Sequence, residues 1–316
     1  MARQYAVTAL GELLIDFVPH GKDDNGDLVF AAKTGGAPPN LLCAVSSAGF
    51  RSGMIGMVGN DMFGRQILRE IVKYGVDVSN VKVSSSYNTT LAFVSLDETG
   101  DRDFSFFREH NADTHLSKDD FDPEMIRQSD IFHFGSLSFT HKKAREATEE
   151  AIRIASESGC IISYDPNYRA PLWKCEKDAV DVMDMNIRRT DILKISLEEA
   201  QMVTGEEDAF LCMEKIFGMG PKLILVTDGG NGIRYGIRGE TGEAHAYKMN
   251  TIDTTGAGDI FFGSFLAGFL KSGKSFEEIT AEDVGKFVDR AAYIAAVSTT
   301  RHGGIASIPV EELQKL

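Results

Sequence analysis

Short apolar runs of strand length alternate with longer amphipathic stretches along most of the chain. Residues 5–9, 53–58, 131–134, 161–165, 192–195 and 223–227 are such runs. Between them, residues 40–48 carry helical periodicity and close at Gly49. Residues 62–73 follow Asp61, a suitable N-cap, and stop at Gly75. Residues 142–156 and the strongly apolar 260–270 read as further helices. The alternation predicts an α/β fold with a mainly parallel central sheet flanked by helices. No repeat, low-complexity tract or Pro/Ser-rich linker divides it, so residues 1–316 are expected to form one domain.

Two regions break the rhythm. Residues 12–33 hold apolar runs around the polar turn Gly21-Lys-Asp-Asp-Asn-Gly-Asp27. Residues 90–108 read as a hairpin: an apolar run at 91–96, a turn at 98–101, then Phe104-Ser-Phe-Phe107. Strands without intervening helices predict a small antiparallel β lid over the main sheet; extra edge strands are the plainer alternative.

Composition narrows the partners. Lys and Arg total 33 against 47 Asp and Glu, a net charge of −14. Such a chain has no general field for nucleic acid or an anionic membrane, so neither is expected as a partner. Any phosphate must be held by a local site. The four cysteines are scattered with no CxxC pair, and the seven histidines show no metal spacing. Residues 260–270 fall far short of the roughly 20 a membrane span needs. A soluble, reducing, cytoplasmic setting is the expectation.

The densest chemistry is Asp253-Thr-Thr-Gly-Ala-Gly-Asp-Ile-Phe-Phe262. Gly256, Ala257 and Gly258 are small residues immediately before an apolar helix, where unpaired N–H groups and the dipole suit an anion. Asp259 falls in the first turn, placed to accept a hydroxyl proton. The helix terminus is expected to keep its pKa low. A glycine-rich turn with a simple cap is the alternative. Gly268-Phe-Leu-Lys-Ser-Gly-Lys-Ser275 matches a P-loop letter for letter, but it lies within helical periodicity instead of after a strand. Ser275 and Glu278 there read as a capping box for the next helix.

Gly35-Gly-Ala-Pro-Pro-Asn40 lets a ligand approach Gly35 and Gly36 closely, with Asn40 able to bond a hydroxyl or to cap a helix. Asp16 ends an apolar run and suits a bidentate grip on sugar hydroxyls, or else faces solvent. Arg108 and Arg169 close strands and are candidates for phosphate or hydroxyl recognition.

In order and spacing these strings resemble the ribokinase (PfkB) family of carbohydrate kinases, from Gly11 to about Pro309. The carriers include Asp16, Gly35-Gly-Ala-Pro-Pro-Asn40, Val58-Gly-Asn-Asp-Met-Phe-Gly64, Asp165-Pro-Asn-Tyr-Arg169, Lys194-Ile-Ser-Leu-Glu-Glu199, Val226-Thr-Asp-Gly-Gly-Asn-Gly232 and Asp253 to Asp259. The resemblance implies a Rossmann-like sheet with a β lid and ATP-dependent transfer to a sugar hydroxyl. Asp259 would be the general base and Gly256, Ala257 and Gly258 the anion hole. Asp16, Gly36 and Asn40 would hold the sugar, with Phe104, Phe106 and Arg108 closing over it. Glu199 would order Mg2+ through water, and Ser196 stands where the family often has asparagine. Thr227, Gly229 and Gly232 would line the ATP groove. Asp253, Thr255, Ser298, Arg301, Gly303 and Ser307 resemble a K+ loop. The segment Gly100 to Arg108 followed by Ala112-Asp113 looks most like fructokinases, with 2-keto-3-deoxygluconate kinases, ribokinases and a silent sugar-binding sensor as alternatives. A homodimer through the lid is the implied assembly.

Overall fold

The computed structural model describes residues 3–96 and 102–316, with the backbone alone at 95–96 and 102–104. Its strands are β1 (Tyr5–Leu10), β2 (Leu14–Lys22), β3 (Leu28–Gly35), β4 (Ser52–Gly59), β5 (Asp77–Ser84), β6 (Thr90–Leu96) and β7 (Arg102–Phe107). They continue with β8 (Ser129–Gly135), β9 (Ile161–Asp165), β10 (Ile192–Ser196), β11 (Leu223–Thr227), β12 (Ile233–Ile237) and β13 (Glu240–Ala244). The large sheet runs β13-β12-β11-β10-β9-β8-β1-β4-β5. It is parallel from β11 to β5, while β12 and β13 add antiparallel pairs. The three-residue turn Gly229–Asn231 between β11 and β12 is too short for a crossover, so that connection can only reverse the chain.

Helices Ala37–Ser47, Met62–Lys73, Ala257–Ser272 and Ala281–Ser298 cover one face, packing Leu41, Ile67, Phe265 and Val288 into one core. Helices Lys142–Glu157, Glu176–Ile187 and Ala209–Phe217 cover the other, around Phe132, Phe134 and Tyr164. All six apolar runs form parallel strands, buried on both sides as such strands must be. The edge strands β5 and β13, and β12 beside β13, had no such signal. Among the described residues no helix is long and apolar enough to cross a membrane.

Asp61 caps Met62–Lys73, accepting from the Phe63 and Gly64 N–H groups. The helix expected from residue 40 starts earlier, at Ala37, with prolines in its first turn. Those positions need no N–H donor, so the prolines cost nothing there. Asn40 is therefore inside the helix and not its cap. Gly268 lies within Ala257–Ser272, whose C-cap is the left-handed Gly273, which disposes of the P-loop. Ser275 and Glu278 bond within a turn only, and the next helix starts at Ala281 under a Thr280/Asp283 capping box.

The second sheet, β3-β2-β6-β7, is the lid. Its expected antiparallel order is only partly right, because β2 and β6 pair in parallel. Strands β1 and β5 run the same way in the main sheet, and each leads into its lid strand, β2 or β6, through a short link. The expected turn at 98–101 lies outside the described residues.

Candidate active site

The site sits where the helix Ala257–Ser272 begins, beside the C-terminal ends of β9 and β10, the usual crevice of an open parallel sheet. Gly256 precedes the helix at φ 74°, and no side chain caps it. A Cβ on Gly256 would fall 2.9 Å from Gly304 Cα and 3.0 Å from Asn40 Nδ2. Only glycine fits a left-handed backbone packed that closely. The uncapped helix start leaves its N–H groups for a ligand, as an anion site requires. Gly256 and Gly258 face cavities, whereas Ala257 opens the helix and lines neither of them.

Two adjoining cavities meet at Asp259. The larger, about 490 Å³, is lined by Asp16, Gly36, Asn40, Phe106 and Arg169 as well as Asp259. Asp16 on β2 is 8% exposed, opposite Lys33 on β3 and Ala92 on β6. Gly35 gives it room: a Cβ there would lie 2.1 Å from Asp16 Oδ2. Gly36, at φ 111°, turns the chain into the first helix against the Glu12 carbonyl. Phe106 faces the cavity while Phe107, its neighbour on β7, is exposed on the other face, as strand alternation requires. Phe104 shares the Phe106 register, opposite Val94, but its side chain lies outside the described residues.

Arg108 is placed differently from expectation. It does not line the cavity. Its Nε donates to Asp113 Oδ2 at 2.6 Å, Nη1 to Thr140 at 2.7 Å and Nη2 to the Leu137 carbonyl at 3.1 Å. The pair is buried, with side chains 1% and 2% exposed. Arg108 thus ties the end of the lid to the main domain. Arg108→Ala should cost about 3–5 kcal/mol of stability by stranding Asp113. Ligand affinity at the cavity should hold within about threefold in the folded fraction; weakened binding at normal melting temperature would contradict the strut.

The smaller cavity, about 330 Å³, is lined by Lys194, Ser196, Glu199 and Gly258 together with Asp259 and Arg169. Glu199 is 6% exposed. Its Oε1 accepts from the Tyr168 N–H at 2.6 Å and its Oε2 from the Ser196 N–H at 2.8 Å. With Ser196 it closes a capping box, which fixes both carboxylate oxygens. Among the described residues no cluster of three acidic, His or Cys groups could cage a metal.

Asp259 Oδ2 accepts from Asn40 Nδ2 at 2.8 Å, so the start of the helix Ala257–Ser272 and the first helix are joined directly. The expected low pKa is overturned. Burial at the cavity floor, and then the charge of Asp165, push Asp259 up to about 7. Asn40, Lys194 and Arg169 oppose this without prevailing. Asp259 keeps some contact with the cavity, yet it lies deep enough for desolvation to outweigh the helix dipole.

The remaining candidates separate. Thr227 ends β11 opposite Ser196, with Gly229 and Gly232 in the turn beyond; the three line neither cavity. Residues 253–255 and 298–307 do converge. Asp253, 3% exposed, accepts from the Gly303 N–H at 2.9 Å and the Thr255 N–H at 2.8 Å. Ser298 and Ser307 are buried nearby in sequence, each donating to a local carbonyl, while Arg301 is exposed.

Some site residues escaped the sequence. Glu12 is buried, and its Oε1 accepts from the Ala37 N–H at 2.8 Å, holding the Gly36 turn. Glu198 lines both cavities, and so does Asn167, at a positive φ of 46°. Lys194 gave a signal in principle, being a charge inside the apolar run of β10.

Comparison with known proteins agrees with this geometry. The pfkB family carbohydrate kinase profile matches residues 6–311. The chain is 35% identical to a probable fructokinase-5 of Arabidopsis thaliana, over 100% of this chain and 98% of that one. It is 36% identical to fructokinase-1 of Zea mays, over 96% and 95%. Among solved structures, a fructokinase with bound ATP from Xylella fastidiosa superposes with a TM-score of 0.88 at 29% identity, covering 98% and 97%. A putative ribokinase II in complex with ATP and Mg2+ from E. coli gives 0.85 at 25% identity, covering 98% of each chain. With the motifs, the two-sheet fold and the site in agreement, the chain belongs to the pfkB family of carbohydrate kinases.

Proposed function

We propose that this protein transfers the γ-phosphoryl group of ATP to a free sugar hydroxyl in the cytoplasm, with fructose to fructose 6-phosphate as its preferred reaction. The observation that carries this is the position of Asp259. It stands between a ligand-sized cavity with hydroxyl-binding side chains and an uncapped helix start built of glycine and alanine. Asp16 and Asn40 orient the sugar, with Phe106 over its apolar face. The reacting hydroxyl hydrogen-bonds Asp259; its oxygen bonds to phosphorus as the bond to the ADP oxygen breaks, and the proton passes to Asp259. Gly256, Ala257 and Gly258 hold the charge that develops on the phosphoryl oxygens, and Arg169 adds a cation at the cavity edge. Thr227, Gly229 and Gly232 support the nucleotide beyond β11.

The acidic groups fit Mg2+ arriving with the triphosphate, since that ion retains waters and needs few protein carboxylates. Glu199, both oxygens already engaged, would hold it through water, with Glu198 beside it. The bound ion would neutralise phosphate charge.

Fructose is favoured by the curated relatives and by the lid segment. A coupled ADP-release assay over fructose, ribose, 2-keto-3-deoxygluconate and nucleosides tests it. The expected result is the highest kcat/KM with fructose. Highest turnover with another sugar would reassign the substrate, and sugar binding without turnover would indicate a sensor. The convergence of 253–255 with 298–307 supports K+ activation, to be read as higher kcat in potassium than in sodium; equal rates in both would remove it. Exposed Leu28 and Phe107 on the lid support a homodimer through that sheet, which sedimentation equilibrium would report as twice the chain mass.

A further inference from the structure

Lys194 is a cation with unused donors at the phosphate end of the site. It sits within β10, its side chain 9% exposed, and lines the smaller cavity with Gly258 and Asp259. Among the described residues the hydrogen bond of its Nζ goes to Asp165 Oδ2, at 2.9 Å. An ammonium carries three donors, so two remain. A Cβ added to Gly258 would fall 3.3 Å from Nζ. Glycine at that position therefore leaves open the space between the ammonium and the start of the helix Ala257–Ser272.

We propose that Lys194 completes the anion hole, donating to the γ-phosphate of bound triphosphate beside the Gly256–Gly258 backbone; this rests on the ATP-dependent kinase assignment above. Burial works to discharge Lys194, but the carboxylates of Asp165 and Glu199 outweigh it and hold the ammonium above its ordinary pKa. The cation is thus available throughout the neutral range. A backbone anion hole supplies dipoles alone. A buried full charge beside it would favour the triphosphate over the diphosphate, which lacks the group that reaches this depth. The competing role for Lys194 is structural, with its charge serving only to neutralise Asp165.

The two roles part in a binding experiment that needs no turnover. Calorimetry would compare β,γ-imido-ATP with ADP, both with Mg2+, on the wild type, Lys194→Met, and the double variant Lys194→Met/Asp165→Asn. The double variant removes both members of the buried Lys194–Asp165 pair, so it remains informative where the single variant folds poorly. The expected result is that both variants lose roughly 10- to 100-fold in affinity for the imido analogue, with ADP affinity changed less than about threefold. A double variant with the wild-type ratio of analogue to ADP affinity would overturn the role of Lys194 and leave the kinase assignment standing. A wild type that binds neither nucleotide would overturn both.

Discussion

Asp259→Asn should lower kcat by roughly 10²–10⁴, the span for losing a general base, with ATP affinity nearly unchanged. The amide keeps the shape and can still bond the sugar hydroxyl, but it cannot take the proton. The raised pKa adds two signatures. In the wild type, kcat/KM should fall as pH drops below about 7, where Asp259 becomes protonated; the variant should lose that limb. Stability moves in the other direction. Since the folded pKa of about 7 exceeds the ordinary 3.8, the native state binds the proton more tightly than the unfolded chain. That contribution is complete below about pH 4 and is lost as pH rises through about 7. The neutral variant avoids this loss. It should be more stable than the wild type by about 1–3 kcal/mol at pH 8, after allowance for cavity water, with the gap closing by pH 4. A helix cap would behave oppositely, its removal costing about 1 kcal/mol. Turnover within about threefold of the wild type would remove Asp259 as the base.

Asp16→Ala should raise the sugar KM by roughly 100-fold, since charge-assisted hydrogen bonds to hydroxyls contribute about 1.5–3 kcal/mol each. Gly35→Ala should reproduce much of this without deleting the carboxylate. Its new methyl would stand 2.1 Å from Asp16 Oδ2, so either the side chain or the β2–β3 pairing must move. The KM for ATP should stay within about threefold in both variants. Initial rates at varied sugar and fixed ATP measure the effect. A wild-type sugar KM in Gly35→Ala would contradict the placement of Asp16.

The parallel strands and the glycine string were legible because each depends on a local pattern. Two-sided burial makes a strand such as Leu223–Thr227 a continuous apolar run, and a helix that starts at a ligand needs small residues. Strands β12 and β13 were not legible, since Glu240–Ala244 has no apolar run and exists as a strand through pairing with β12. The mixed order of the lid follows from where β1 and β5 end in the main sheet, which no window of sequence contains. Arg108 has the look of a ligand-binding residue, yet its direction is set by Asp113 and by the Leu137 carbonyl across a chain reversal. The pKa of Asp259 follows the same rule. Its position at a helix start is local, but Asp165 and the depth of the cavity are tertiary. Chemistry that depends on a residue type at a helix terminus could be read from sequence; chemistry set by which side chain faces which could not.

The most direct test is phosphorus NMR of a mixture of the wild-type protein, fructose, ATP and Mg2+, with Asp259→Asn in parallel. The expected result is one new sugar phosphate ester on the primary hydroxyl at C6, appearing in step with ADP and nearly absent from the variant over the same interval. ADP accompanied by free inorganic phosphate, or the same ester formed equally fast by the variant, would contradict base-assisted transfer to a sugar at this site.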